Sequence, residues 1–179
     1  MVITLVPLTT NKAFADVLYD YYGSDAGVNI PQGVIAISDL AFSSHNKITS
    51  VAIPSSVKSI GTYAFEDCSG LKSLMVPSTV TSIGDGVFRL CCGLESVVLS
   101  EGLTSIGSCA FESCIELTSV DVPKSVTSIG SGAFSNCSKL MKLTLPFVGS
   151  QRGNAGTAES LFGYIFGTVQ YTAANAALN

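Results

Sequence analysis

The chain has 179 residues, of which 47% are hydrophobic and only 12% charged, about half the ~25% charge of an ordinary soluble domain. That composition excludes a disordered chain, and a net charge of −4 leaves no basic footprint to draw nucleic acid or an anionic lipid surface. No apolar run reaches the ~18 residues of a membrane-crossing helix, so membrane insertion is not expected.

Met1 to Leu8 is apolar but lacks the basic start and small-residue cleavage site of a signal peptide. The chain is therefore expected either to be intracellular or to have lost a leader. Thr10 to Tyr22 places Phe14, Val17, Leu18 and Tyr21 at helical spacing, with Thr10 available as N-cap and Gly23 as the stop. These features predict an N-terminal helical cap within residues 1–27.

From Val28 onward the sequence repeats itself. Val28, Val51, Leu74, Val97, Val120 and Leu143 recur every 23 residues without a gap. The same interval carries Ile37, Ile60, Ile83, Ile106 and Ile129, then Phe42, Phe65, Phe88, Phe111 and Phe134. Other apolar columns run from Val34 to Val126, from Ala41 to Ala133 and from Ile48 to Leu140. Five full coils are predicted over 28–142. In each, residues such as Leu74 and Val76 alternate across one position, the period of a strand, and Pro77 ends the ladder because it has no N–H to donate. A second extended piece, Val80 to Ile83, leads into a glycine turn at Gly84. Phe88, Cys91 and Leu94 then follow at steps of three, the spacing of a short helical turn with one buried stripe. A coil of this size cannot hide its own apolar face, so its neighbours must stack on it. Beyond Leu145 the register fails. Residues 143–179 read as a partial repeat, a glycine-rich loop (Ser150 to Thr157), an apolar segment (Leu161 to Phe166) and a C-terminal cap or tail.

This pattern resembles the BspA-like, or treponemal-type, leucine-rich repeat, and the best match is LTSVDVPKSVTSIGSGAFSNCSKL, Leu117 to Leu140. LPFVGS at Leu145 to Ser150 and FGYIFG at Phe162 to Gly167 look like elements found between repeats in large members of that family. The resemblance implies an α/β repeat fold, a right-handed solenoid of about five coils with short parallel strands and a short helical turn. It also implies a secreted or cell-surface protein engaged in adhesion to host or neighbouring cells. Ser100, where other coils have proline, and Ser38 and His45, where they have glycine and cysteine, depart from the pattern.

Chemistry-bearing residues are sparse. Cys68, Cys91, Cys114 and Cys137 form one column. Column mates should be separated by the ~4.8 Å coil spacing, wider than the Cβ distance a disulfide prefers, and a line of sulfurs cannot surround zinc as a tetrahedron. Buried free thiols are expected there, while Cys92 and Cys109 lie off the column. His45 is the single histidine. No Gly-x-Ser-x-Gly elbow, complete dinucleotide fingerprint or Walker lysine accompanies it. Hence no catalytic, cofactor-binding or metal site is assigned, and no enzyme is expected.

The remaining signal is surface. The first strands present an outward column of Ala52, Met75, Val98, Asp121 and Thr144. Met75 and Val98 are apolar where solvent is expected, and Lys72 and Glu95 flank them. Lys72, Met75, Glu95, Val98 and Asp121 are thus the candidate contacts for a protein partner, a host or extracellular-matrix protein on the resemblance. Two alternatives stay open: a structural spacer in a larger surface protein, and glycan binding on the Ser/Thr ladder of the second extended segments (Lys58, Thr81, Thr104 and Thr127 with Ser59, Ser82, Ser105 and Ser128).

Overall fold

The computed structural model describes residues 16–18, 20–146 and 164–166. Its twelve strands are β1 (Asp16–Leu18), β2 (Gly27–Asn29), β3 (Val34–Ile37), β4 (Ser50–Ala52), β5 (Ser59–Ile60), β6 (Ser73–Val76), β7 (Ser82–Ile83), β8 (Ser96–Leu99), β9 (Ser105–Ile106), β10 (Ser119–Asp121), β11 (Ser128–Ile129) and β12 (Lys142–Thr144). The odd strands form a six-stranded sheet in the order β1-β3-β5-β7-β9-β11, and the even strands form the sheets β2-β4-β6-β8 and β10-β12. Every pairing is parallel. Between consecutive coils the register advances by one repeat, as in Leu74↔Val97 and Ile83↔Ile106. The result is a parallel-strand solenoid of about six turns, one more than the five coils expected.

Ser100 has a local explanation in this ladder. Its N–H, which proline would lack, donates to the Val76 carbonyl at 3.3 Å and adds one bond beyond the end of β8. The coils that keep proline instead close a turn from Val34, Val57, Val80 or Val126 to the proline carbonyl, at 3.4, 3.1, 3.0 and 3.1 Å.

The expected helical turn does not form. Bonds between residues three apart are present, such as Arg89 N–H to the Gly86 carbonyl at 3.0 Å and Cys91 N–H to Phe88 at 3.1 Å, but they close successive turns. Left-handed residues break each would-be helix at two positions per coil. One column is Leu40, Tyr63, Gly86, Cys109 and Gly132, and the other is Ser44, Asp67, Leu90, Ser113 and Asn136, with φ between 52° and 64° throughout. For a side-chain-bearing residue this conformation costs about 1–2 kcal/mol. It is offset because alternate peptide groups turn outward to the next coil. The amides of Gly86, Phe88 and Leu90 each donate to a carbonyl one coil on, those of Ser108, Ala110 and Glu112, all at 2.8 Å. The turns thus build a third inter-coil ladder. A period of three suits a helical turn and such chained turns equally, so periodicity could not separate them.

The core lies inside these three ladders. The five repeat phenylalanines are fully buried and stack with centroids 4.8–5.7 Å apart and planes within 1–22° of parallel. Each column thiol also has a partner: Cys68, Cys91, Cys114 and Cys137 donate to the Phe42, Phe65, Phe88 and Phe111 carbonyls at 3.0–3.1 Å. A cysteine therefore fills the volume of a small hydrophobe and adds a weak donor.

At the N-terminal end, the residues expected to complete a helix, Asp16–Leu18, form β1 and pair with β3. Tyr21 then donates its N–H to the Ala41 carbonyl at 2.9 Å, and its ring lies 5.1 Å from Phe42. The expected helix upstream of Asp16, with its N-cap Thr10, lies outside the described residues. At the other end, residues 164–166 are helical, and Phe166 lies 6.4 Å from Phe134. The carbonyls of Tyr164 and Ile165 accept from Gly132 and Phe134 at 2.7 and 2.8 Å. The glycine-rich loop and the final tail expected from the sequence also lie outside the described residues.

Candidate functional site

The even-numbered strands bury alternate residues. In β6 and β8 the pattern is exposed, buried, exposed, buried, so Leu74, Val76, Val97 and Leu99 enter the core while Ser73, Met75, Ser96 and Val98 face outward. Met75 and Val98 are register partners, with 60% and 52% of their surface exposed. Immediately ahead of β6 and β8, Lys72 and Glu95 form an ion pair at 3.2 Å. Further along the same face Lys142 pairs with Asp121 at 3.3 Å, and the Thr144 hydroxyl donates to Asp121 Oδ1 at 2.6 Å. That hydroxyl, and then Lys142, hold the Asp121 carboxyl below its ordinary range.

The structure thus gathers all five sequence candidates on one face. Met75, Val98, Lys72 and Glu95 form a compact group, and Asp121 stands one coil on, tied to Lys142 and Thr144. Met141, 65% exposed, was missed by the sequence reading. It lies 46 residues, or two repeats, after Glu95, and the Lys72 and Glu95 column carried two coils further would have found it. The charges Lys72 and Glu95, and Lys142 and Asp121, neutralise one another in pairs, which leaves Met75 and Val98 as an adjacent apolar pair on the face, with Met141 further along it.

The other candidate chemistry resolves into structural contacts. His45 takes the cysteine place in the first coil, where its Nδ1–H donates to the Ser43 carbonyl at 3.0 Å and its ring stands edge-on to Tyr21 at 5.2 Å. Burial pushes the Cys68 and Cys137 thiols up to about 12 and raises Cys91 and Cys114 as well. A protonated thiol is a poor nucleophile. Cys92 and Cys109 are half-buried. Immediately ahead of β9 and β11, Thr104 and Thr127 donate their hydroxyls to the Thr81 and Thr104 carbonyls at 2.8 and 3.1 Å, so much of the threonine ladder is committed to holding coils together. Among the described residues, no helix is long and apolar enough to cross a membrane.

Residues 16–147 match the family model described as the BspA type leucine rich repeat region, in six copies. Three solved bacterial structures are similar over nearly the same part of the chain. A leucine-rich repeat protein of T. pallidum is 28% identical with a TM-score of 0.68, covering 72% of this chain and 73% of that one. One from Bacteroides ovatus is 36% identical, with a TM-score of 0.66 over 73% of this chain and 36% of its own. A leucine rich cell surface protein from Faecalibacterium prausnitzii is 34% identical, with a TM-score of 0.63 over 73% and 38%. The matched part therefore spans little more than a third of the last two proteins. Among curated proteins, no relative matches this chain.

Proposed function

The chain belongs to the BspA-type leucine-rich repeat family, and from that premise we propose that it is a non-enzymatic interaction module that grips a protein partner through its first-strand face. The observation that carries this reading is the apolar pair Met75 and Val98, both more than half exposed on a regular sheet between ion pairs that satisfy one another. Exposed apolar side chains with a polar rim suit protein recognition. Because Lys72, Glu95 and Asp121 each have a partner within the chain, the matching surface is apolar at its centre and needs no net charge. The face acts as the floor of an adhesive contact in a secreted or surface-displayed protein, and the relative described as a cell surface protein supports that setting.

The test is binding of a panel of purified extracellular-matrix proteins and of host-cell extract to the wild type and to the Met75→Lys/Val98→Lys double variant. Both substitutions sit on exposed positions, so the melting curve should stay within error. Expected is a saturable partner of the wild type whose affinity falls by roughly a hundredfold in the variant, the scale of two interface contacts of more than 1 kcal/mol each. A partner that binds both proteins equally would remove this face from the reading. No saturable partner with either would favour a spacer segment.

A further inference from the structure

A concave feature lies on a different side of the solenoid from the Met75 and Val98 face, where the odd-numbered strands bend into the turns. It is an open cleft of about 380 Å³, within the ~300–1,000 Å³ typical of small-molecule sites. Ser105 and Ser128 line it from β9 and β11, Asp85 and Ser108 from the turns, and Tyr164 from the segment that closes the array. The bend carries no side chain at Gly107 because a Cβ there would come within 2.5 Å of the Gly84 carbonyl group. Tight coil contact thus keeps the groove open.

The polar groups lining the cleft differ from those of the neighbouring threonine column. Thr104 and Thr127 spend their hydroxyls on backbone carbonyls. No bond within the described residues engages the side-chain hydroxyls of Ser105, Ser108 or Ser128. Asp85 is anchored through one oxygen, Oδ1, which accepts the Ser108 N–H at 2.7 Å, so its second oxygen is held in place and left to accept another donor. Among the described residues, no lysine or arginine lines the cleft and Asp85 does, a lining that suits a neutral ligand better than an anion. Tyr164, 40% exposed, adds an apolar ring with a polar tip.

We propose that this cleft is a binding site for a neutral saccharide unit. Such a ligand offers hydroxyls that both donate and accept, matching three serines and one oriented carboxylate. It also offers a C–H face that packs against an aromatic ring. The site is separate from the Met75 and Val98 face and uses different strands, so the two can fail independently.

The test is a two-dimensional NMR titration of the whole chain with the methyl glycosides of glucose, galactose, mannose and N-acetylglucosamine. The expected result is saturable shifts from at least one glycoside, centred on Gly107, Ser108 and Ser128. Tyr164→Ala should weaken that binding roughly tenfold, about the size of one lost contact. Asp85→Asn keeps the Oδ1 acceptor for Ser108 and should weaken it comparably, which guards against Tyr164→Ala acting through the array end. Met75→Lys should leave it unchanged. The proposal is overturned if none of the four glycosides gives a saturable shift, if the shifts fall on the β6 and β8 face, or if neither cleft variant alters them.

Discussion

The interior coils and the two ends of the solenoid solve the same packing problem under different rules. From Phe42 to Phe134 a ring recurs every 23 residues, and neighbouring planes stay within 22° of parallel. Tyr21 lies only 21 residues before Phe42, and Phe166 lies 32 residues after Phe134. These end rings are tilted by 33° and 47°, yet they still cover the stack. What the fold requires at an end is an aromatic surface over the last phenylalanine. The connecting length can change because loop closure costs little per added residue.

Between interior and end, Phe88→Ala should have the largest effect. It opens a cavity between two fixed coils and should cost about 3–5 kcal/mol, measured by chemical denaturation. Phe42→Ala tests the boundary. The sequence places Phe42 in the first coil, where a smaller loss is expected, but Tyr21 buries it as fully as Phe88. A loss equal to that of Phe88 would show that the interior begins at Phe42.

Alkaline pH probes the thiol column next. The folded Cys68 and Cys137 thiols keep their protons to about pH 12, against 9.0 for an unperturbed thiol. A raised folded pKa gives stability that is complete below pH 9 and is lost as pH climbs from 9 toward 12. Each thiol should remove about 1.4 kcal/mol per pH unit inside that window. Stability measured by denaturation across that window should therefore fall with rising pH in the wild type and fall less steeply in Cys68→Ala. Equal slopes in the two proteins would mean that other groups govern the alkaline limit.

The smallest predicted effect concerns the N-terminal end alone. Among the described residues the Tyr21 hydroxyl is buried without a hydrogen-bond partner, a state that costs free energy in any interior. Tyr21→Phe keeps the ring over Phe42 and removes the orphan oxygen, so it should raise stability by about 1 kcal/mol, read as a higher denaturation midpoint. A fall would mean that the hydroxyl contributes to the end in a way the ring does not.

Much of the architecture was legible in the residues. Uninterrupted columns such as Ile37 to Ile129 dictated stacking, because an apolar face that recurs at a fixed interval can be buried only against its own copy. Alternation at Leu74 and Val76 set the strand and its outward side, and the five candidate contacts followed from that. The helical turn was misread at Phe88, Cys91 and Leu94 because burial at every third residue is common to a helix and to chained turns. Left-handed leucine, tyrosine and cysteine at 40, 63 and 109 carry no local signal, since their strain is offset by carbonyls a whole coil away.

The ends were misread for a related reason. Leu18 and Tyr21 fit a helical period, and only the neighbouring β3 and Phe42 make them a strand and a stacked ring. The sequence alone determined the repeat, its core columns and its exposed face, because those follow from local periodicity and the need to bury apolar surface. Tertiary structure decided where the array closes, which peptide groups bond across coils, and that Tyr164 meets Asp85 and three serines around one cleft. Those outcomes depend on contacts between residues far apart in the chain, and no periodicity encodes them.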